Sequence, residues 1–172
     1  LLVFDGPTEK AIAHYRTSDG QPDMEKDLSE SERIGNLAHF SSIRFDPKSL
    51  QTNTSVEGSI EIRALDKGNV VKAEIGMNIR SMTGQGLYHF SNRFMGNEIK
   101  VNGSTTVQFG FDHQLKPGRY RLCLFLRAND EVQQWLENEV TFEISGIAPY
   151  GFADGSQIQA DLAPSFHIRE ME

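Results

Sequence analysis

The sequence is poor in the residues that build covalent or metal-bound frameworks. Its 172 residues include a single cysteine, Cys123, so neither an internal disulfide nor a zinc site made of several cysteines can form. No stretch approaches the roughly 18 consecutive apolar residues of a transmembrane helix. The net charge of -7, from 17 basic and 24 acidic residues, argues against nucleic acid as the main partner. The hydrophobic fraction of 38% is still sufficient for a globular core.

Motifs of nucleotide binding and catalysis are also absent. There is no Gly-x-x-x-x-Gly-Lys-Ser/Thr phosphate loop and no Gly-x-Ser-x-Gly nucleophile elbow. The five histidines are scattered, without a His-x-x-x-His pair that would favour a metal site. Four carboxylates flank Trp135, namely Asp130, Glu131, Glu137 and Glu139, and we interpret this stretch as a solvated loop. The sequence therefore predicts a chain without catalytic residues, metal or cofactor.

The first 35 residues differ in character from the rest. Residues 1–4 form a short apolar run, Asp5-Gly6-Pro7 then turns the chain, and residues 8–16 are predicted to form a helix. Residues 17–35 are acidic with few large apolar side chains, which indicates a solvated linker. The chain begins without methionine or a signal-peptide pattern. We therefore expect it to be a piece of a longer protein.

From residue 36 to residue 172 the apolar residues recur with a period of two. Such alternation is typical of half-buried strands. The apolar rows include Ile60–Ala64, Val71–Ile79, Val107–Phe111, Tyr120–Leu126 and Phe142–Ile144. Turn residues rich in glycine, proline and aspartate separate them. Eight or nine short strands at this spacing, with no long helix, predict an all-β antiparallel sandwich or barrel.

One local pattern favours the sandwich over the barrel. In residues 115–122, a Pro-Gly turn is followed by Tyr120, two residues before the apolar Leu122. A tyrosine so placed resembles the tyrosine corner of immunoglobulin-like domains. The paired cysteines and central tryptophan of antibody domains are missing, so the sequence predicts an immunoglobulin-like β-sandwich and no closer relative.

The positions opposite the apolar rows suggest a binding face. If the positions opposite the apolar rows lie side by side on neighbouring strands, one sheet presents aromatic rings beside amide and guanidinium groups. The candidate binding residues are Asn78, Arg80, Tyr88, Phe90, Asn92, Phe125 and Arg127. Aromatic rings stack on the apolar faces of sugars, and arginine pairs with anionic groups. In the alternative phase, Tyr88 and Phe90 belong to the core and Leu87 and His89 face outward; outward aromatic rings could also cover a neighbouring subunit.

Four stretches together resemble a known family. Residues 2–15 (LVFDGPTEKAIAHY) are similar to the end of an ABC-type ATPase domain, where a strand and a turn precede a helix that ends in tyrosine. Residues 86–94 (GLYHFSNRF) resemble an apolar-aromatic strand of the family, although Ser91 replaces the usual glycine and Arg93-Phe94 replace small residues. Residues 115–126 and 140–146 resemble its Pro-Gly-x-Tyr strand and its closing strand. The chain thus resembles the C-terminal domain of Wzt-type ATPases of O-antigen polysaccharide exporters.

The resemblance implies three segments. Residues 1–16 would be the remnant of the nucleotide-binding domain, residues 17–35 the acidic linker, and residues 36–172 an immunoglobulin-like carbohydrate-binding domain. This domain would bind terminally modified O-polysaccharide without catalysing a reaction and select it for export across the inner membrane. The alternative is an immunoglobulin-like module for protein interaction or dimerisation without a glycan ligand. The ancillary sandwich of a carbohydrate-active enzyme is a third reading, which the ATPase-like N-terminus disfavours.

The resemblance also implies partners and a location. The partners would be the O-polysaccharide, a second copy of the chain and, through the parent ATPase domain, the membrane permease. Residues 155–168 are predicted to form a strand that could be exchanged between the two copies. The protein would be cytoplasmic and peripheral to the bacterial inner membrane.

Overall fold

The structure is a computed structural model that describes residues 24–52, 54–66, 68–146 and Leu162. Within these residues the chain forms nine strands and one short 3-10 turn. The strands are β1 (Glu25–Asp27), β2 (Ala38–Phe45), β3 (Ser55–Ala64), β4 (Val71–Ser81), β5 (Gly86–Ser91), β6 (Ile99–Val101), β7 (Ser104–Asp112), β8 (Gly118–Ala128) and β9 (Glu131–Ile144), with the 3-10 turn at Asn92–Met95. No helix in this part of the chain has the length and apolar character needed to cross a membrane.

The strands form two antiparallel sheets. Sheet 1 has the order β1-β2-β3-β7, and sheet 2 has the order β5-β4-β8-β9 with the short β6 paired to one end of β4. The predicted all-β, immunoglobulin-like sandwich is therefore confirmed. Over most of β4 and β8 the buried residues alternate with exposed or half-buried ones, because successive side chains point to opposite faces of a sheet.

The core lies between the two sheets. Tyr120, Leu122, Leu124 and Leu126 of β8 project from sheet 2 and are buried. The hydroxyl of Tyr120 donates a hydrogen bond of 2.8 Å to the backbone carbonyl of Lys116. This bond from a buried tyrosine to the backbone just upstream confirms the tyrosine corner.

Residues 24–35 are part of the sandwich, so the interpretation of this stretch as linker is wrong. Strand β1 pairs with β2, Leu28 is fully buried, and the backbone amides of Ile34 and Gly35 donate to the carbonyl of Gln133. A strand of three residues followed by a single buried leucine is too short to give a recognisable apolar period in the sequence. Residues 1–23, with the predicted ATPase remnant, and residues 147–172 apart from Leu162 lie outside the described residues.

Residues 130–139 do not form the solvated loop expected from the sequence. Trp135 lies in the middle of β9, opposite Phe125 of β8. The register between β8 and β9 shifts twice, between Leu122 and Leu124 and between Leu126 and Arg127. The first shift gives β9 two extra residues and the second gives it one. A single extra residue reverses the phase of the alternation, so the stretch shows no regular period of two.

Candidate functional site

The outer face of sheet 2 carries four of the seven candidate binding residues. On β4, Asn78 and Arg80 alternate with the buried Ile75 and Ile79. On β8, Phe125 and Arg127 alternate with the buried leucines. The cross-strand pairs of this face are Glu74 with Arg127, Gly76 with Phe125, and Asn78 with Cys123. Directly opposed residues share a face, so these side chains project together from the outer side of the sandwich.

An aromatic platform, formed by Phe125 and Trp135, occupies the centre of this face. The side chain of Phe125 lies over Gly76, so close that a Cβ added to this glycine would be 3.4 Å from the ring. The ring centroid of Trp135 is 5.5 Å from that of Phe125, with the two planes at 78°. The indole is 54% exposed, which is unusual for so large an apolar side chain. Trp135 is not one of the binding residues predicted from the sequence.

Two arginines flank the platform. Nη1 of Arg127 donates to Glu74 Oε2 at 3.3 Å and Nη2 donates to the carbonyl of Asp130 at 3.0 Å. Nη1 of Arg80 lies 3.5 Å from Glu137 Oε1. The Arg80–Glu137 pair is the more accessible, with side chains 33% and 48% exposed, against 28% and 24% for Arg127 and Glu74. Exposed ion pairs contribute little stability, so an anionic ligand can compete for Arg80 at small cost.

The placement of Tyr88 and Phe90 on the outer face is wrong. Tyr88 is opposite the buried Ile79, and Phe90 is opposite Met77 on the inner face. The ring of Phe90 stacks on Phe111 of sheet 1 with centroids 4.8 Å apart. In β5 both phases of the sequence are apolar or aromatic, so the pattern could not distinguish them, and the alternative phase with His89 outward is the correct one.

Tyr88 also faces sheet 1. Its hydroxyl oxygen accepts a hydrogen bond of 2.9 Å from the backbone amide of Gln114, and its ring stacks on Phe90 with centroids 5.8 Å apart. The two rings therefore close the open end of the sandwich beside β5 and stabilise it.

The side-chain amide of Asn92 is hydrogen-bonded to the backbone. Its Oδ1 accepts from the amide of Ile75 at 2.7 Å, and its Nδ2 donates to the carbonyls of Ala73 and Asn97 at 3.2 and 2.8 Å. Its side chain makes the hydrogen bonds to β4 that a neighbouring strand would make, at the point where β5 ends and β4 continues. This residue positions the 3-10 turn and has little hydrogen-bonding capacity left for a ligand.

A groove of about 350 Å³ adjoins the platform at Arg127 and Glu74. Lys72 and Glu98 form an ion pair of 2.9 Å at its rim. This mutual hydrogen bond raises the pKa of Lys72 and lowers the pKa of Glu98, so both remain charged near neutral pH. The groove is thus a polar continuation of the aromatic platform.

A larger concavity, of about 630 Å³, lies on the outer face of sheet 1. Arg44, Glu57 and Gln108 line it. The aromatic residues at its edge, Phe45 and Phe109, pack against each other with ring centroids 5.8 Å apart and project towards the core. It offers no exposed ring on which a sugar could stack.

The outer face of sheet 2 is basic although the whole chain is acidic. Six basic residues and three acidic ones project from its strands, in a chain with a net charge of -7. The basic residues are Lys72, Arg80, Lys100, Arg119, Arg121 and Arg127, and the acidic ones are Glu74, Glu137 and Glu143. This local surplus of positive charge favours an anionic ligand.

Cys123 lies on this face but is not a reactive group. Its Sγ donates to the carbonyl of Glu137 at 3.1 Å, and the residue is buried. Burial raises the pKa of the thiol, with Arg80 opposing the shift and Glu137 adding to it. The thiol is therefore protonated near neutral pH. Among the residues that the structure describes, no three metal-ligating side chains cluster.

The inward orientation of Phe90 in β5 gives a first testable prediction. Replacing Phe90 with alanine should destabilise the domain by on the order of 2 kcal/mol, because the ring packs on Phe111 and loses that burial. The change should leave ligand binding on the opposite side of sheet 2 intact. Urea unfolding measures the first effect. Unchanged stability of the Phe90→Ala protein would contradict the inward placement of the ring.

Together these features define a class of protein: an immunoglobulin-like β-sandwich domain with an aromatic, basic face on one sheet. Residues 45–155 match the family model described as the Wzt C-terminal domain, and the chain belongs to this family.

A solved structure shares the fold of this chain. The crystal structure of the C-terminal domain of wzt superposes with a TM-score of 0.59 at 15% identity, over 87% of this chain and 93% of that one. At this identity the match shows the fold alone. A β-glucosidase from Listeria innocua in complex with glucose aligns at 16% identity with a TM-score of 0.36, over 64% of this chain but 16% of the enzyme. Comparison with curated protein sequences gives no significant match.

Proposed function

We propose that this domain binds bacterial O-polysaccharide and selects it for export, as a non-catalytic part of an ABC exporter ATPase subunit. Membership of the Wzt C-terminal domain family supports this role. The observation that carries the proposal is the exposed Trp135 beside Phe125 on a face with a surplus of arginine. The parent subunit would hold the domain at the cytoplasmic side of the inner membrane through its permease.

The chemistry of the face suits a sugar chain with polar or anionic groups. The apolar side of a sugar ring would lie on Phe125 and Trp135. Asn78 would offer amide hydrogen bonds to hydroxyls, and Arg80 and Arg127 would pair with phosphate or carboxylate groups. Tyr88, Phe90 and Asn92 would support this site from within the fold. A face this open binds each sugar weakly. Two copies of the domain bound to the same polysaccharide would raise the apparent affinity.

The electrostatic part of the proposal is tested at Arg80. Its side chain is 33% exposed and pairs with the surface carboxylate of Glu137, so its removal should cost little stability. Arg80→Ala should weaken binding of an anionic O-polysaccharide severalfold at low salt, and the difference should shrink as salt screens the charges. Calorimetric titration at two ionic strengths measures both effects.

Lys48→Ala is the matched control, because Lys48 is an exposed cation in the turn between β2 and β3 of sheet 1. It should bind like the wild type. Equal affinities of Arg80→Ala and wild type at low salt would show that the anionic groups bind elsewhere. Absence of binding to any O-polysaccharide would favour the alternative, a protein-interaction module.

We propose further that the domain is a homodimer that exchanges C-terminal strands. Among the described residues, no strand pairs with the second edge of β7. Leu115, just after β7, forms an antiparallel bridge with Leu162, and Leu162 packs against the core. An uncovered edge strand invites pairing with other chains through its amides and carbonyls. In the dimer, the segment around Leu162 of a second copy would take the place that Leu162 of the same chain holds beside Leu115.

The dimer is tested by truncation. The full chain should give the mass of a dimer in light scattering, and a chain that ends at residue 154 should be monomeric or aggregate, because the edge of β7 is then uncovered. A monodisperse monomer for the full chain would contradict strand exchange and leave the glycan site unaffected.

A further inference from the structure

A second aromatic pair lies at the opposite border of sheet 2 from Trp135. The rings of His89 and Phe94 are in edge-to-face contact, with centroids 5.1 Å apart and planes at 77°. Phe94 is 68% exposed, although its ring is large and apolar. No part of the proposed site described so far uses this pair.

The pair lies on the same outer face as the platform. His89 of β5 is directly opposite Asn78, which projects outward. Arg93, the neighbour of Phe94, approaches Glu74 from the same side, with Nη1 3.9 Å from Oε2. The contact of Phe94 with His89 and that of Arg93 with Glu74 therefore show that the side chains of the 3-10 turn project over the outer face.

The turn is built to hold this position. The side chain of Ser91 accepts a hydrogen bond from the amide of Arg93, and Gly96 ends the turn with φ of 67°, a left-handed conformation that glycine adopts without strain. The amides of Gly96 and Asn97 then donate to carbonyls within the turn. Phe94 is thus presented by a fixed backbone.

Together the rings form an interrupted aromatic strip across the strands. His89 and Phe94 lie at β5, Phe125 lies over Gly76 in the middle, and Trp135 lies on β9. From β5 to β9 there are three inter-strand spacings, or about 14 Å, which is wider than one sugar ring. Beside the strip, Glu74 Oε2 lies between two guanidinium groups, that of Arg93 at 3.9 Å and that of Arg127 at 3.3 Å.

We infer that His89 and Phe94 form a second sugar-stacking subsite, so that the domain recognises a stretch of several sugars laid across the strands. This inference rests on the proposed glycan-binding function and names the ligand class within it: an oligosaccharide segment, where a single terminal sugar would fill only the Phe125–Trp135 platform. Stacking on both pairs explains why two aromatic groups are exposed on one face of a sheet whose other face is buried.

Binding as a function of ligand length tests the inference. The probe is a size-fractionated series from mild acid hydrolysis of the bacterial O-polysaccharide that the intact chain binds best on an array. Wild-type affinity should rise from one sugar to fragments long enough to reach both pairs. Phe94→Ala should lose about tenfold in affinity for these longer fragments, the effect of uncovering roughly 60 Å² of ring surface. Its affinity for a single sugar should be unchanged.

Met95→Ala is the matched control, since Met95 is the next residue, is 74% exposed and makes no ring contact that the structure records. It should bind every fragment like the wild type. The inference is overturned if Phe94→Ala binds the longer fragments as tightly as wild type, or if a single sugar binds as tightly as they do. Those results would leave binding at Trp135 intact, whereas failure of every polysaccharide to bind would overturn the proposed function and the inference with it.

Discussion

Replacing Gln134 with leucine should destabilise the sandwich by roughly 2–3 kcal/mol, although the two side chains are similar in size. Gln134 is fully buried. Its Oε1 accepts from the amide of Phe40 at 2.6 Å, and its Nε2 donates to the carbonyl of Glu32 at 3.2 Å. Leucine would leave a buried backbone amide without a partner, which costs more than the lost hydrogen bond itself. Equilibrium unfolding in urea measures the change.

The neighbouring Gln133 gives this prediction an independent check. Its Oε1 accepts from the amide of Leu37 at 2.8 Å, and a Cβ on Gly35 would collide with its side chain. Gly35→Ala should therefore also destabilise the domain. Gln108→Leu, at an exposed position of β7, is the control and should stay within about 0.5 kcal/mol of wild type. If Gln134→Leu is as stable as Gln108→Leu, the two buried glutamines do not hold residues 32–40 to sheet 2.

The sequence predicts the fold well where one face of a strand is buried and the strand is regular. In β4 the apolar alternation runs from Val71 to Ile79 and in β8 from Tyr120 to Leu126, and it places Asn78, Arg80, Phe125 and Arg127 on the correct face. The tyrosine corner is predictable because its signal, Pro-Gly followed by tyrosine, is local. Neither prediction requires knowledge of the partner strands.

The remaining features depend on irregularities that leave no period. Strand β9 contains two register shifts against β8, so the sequence around Trp135 has the pattern of an acidic loop. In β5 the register against β4 shifts between Ile79 and Arg80, and the strand offers apolar residues on both faces. The sequence alone therefore allows Phe90 to face either side of the sheet. Its contact with Phe111 of the other sheet shows that it faces inward. The site is thus assembled by bulges and edge pairing, which a single sequence does not display.

Replacing Trp135 with alanine should cost on the order of 2 kcal/mol of glycan-binding free energy, about thirtyfold in affinity. The indole is the largest exposed ring of the outer face, so it offers the largest area for a sugar to cover. Because more than half of the side chain is already exposed, the stability of the domain should change by less than about 0.5 kcal/mol. Calorimetric titration with the O-polysaccharide and urea unfolding separate the two effects.

Two companion variants sharpen this prediction. Trp135→Phe should retain part of the affinity, since a smaller ring still stacks. Phe90→Ala, on the inner face of the same sheet, should lose stability and keep its affinity in the folded state. If Trp135→Ala binds like wild type while Phe90→Ala binds weakly, the ligand lies at the inward-facing rings of Tyr88 and Phe90, and the outer face of sheet 2 is not the site.

The most direct test of glycan binding on this face uses the intrinsic fluorescence of the intact chain. Trp135 is the one tryptophan among the 172 residues, so excitation at the red edge of the absorption reports on the proposed platform alone. Titration with O-polysaccharide should shift the emission to shorter wavelength and protect the indole from acrylamide, with the same midpoint as the calorimetric isotherm, because a stacked sugar excludes water from the ring. A calorimetric isotherm that saturates while the emission and the quenching of Trp135 stay constant would contradict the account.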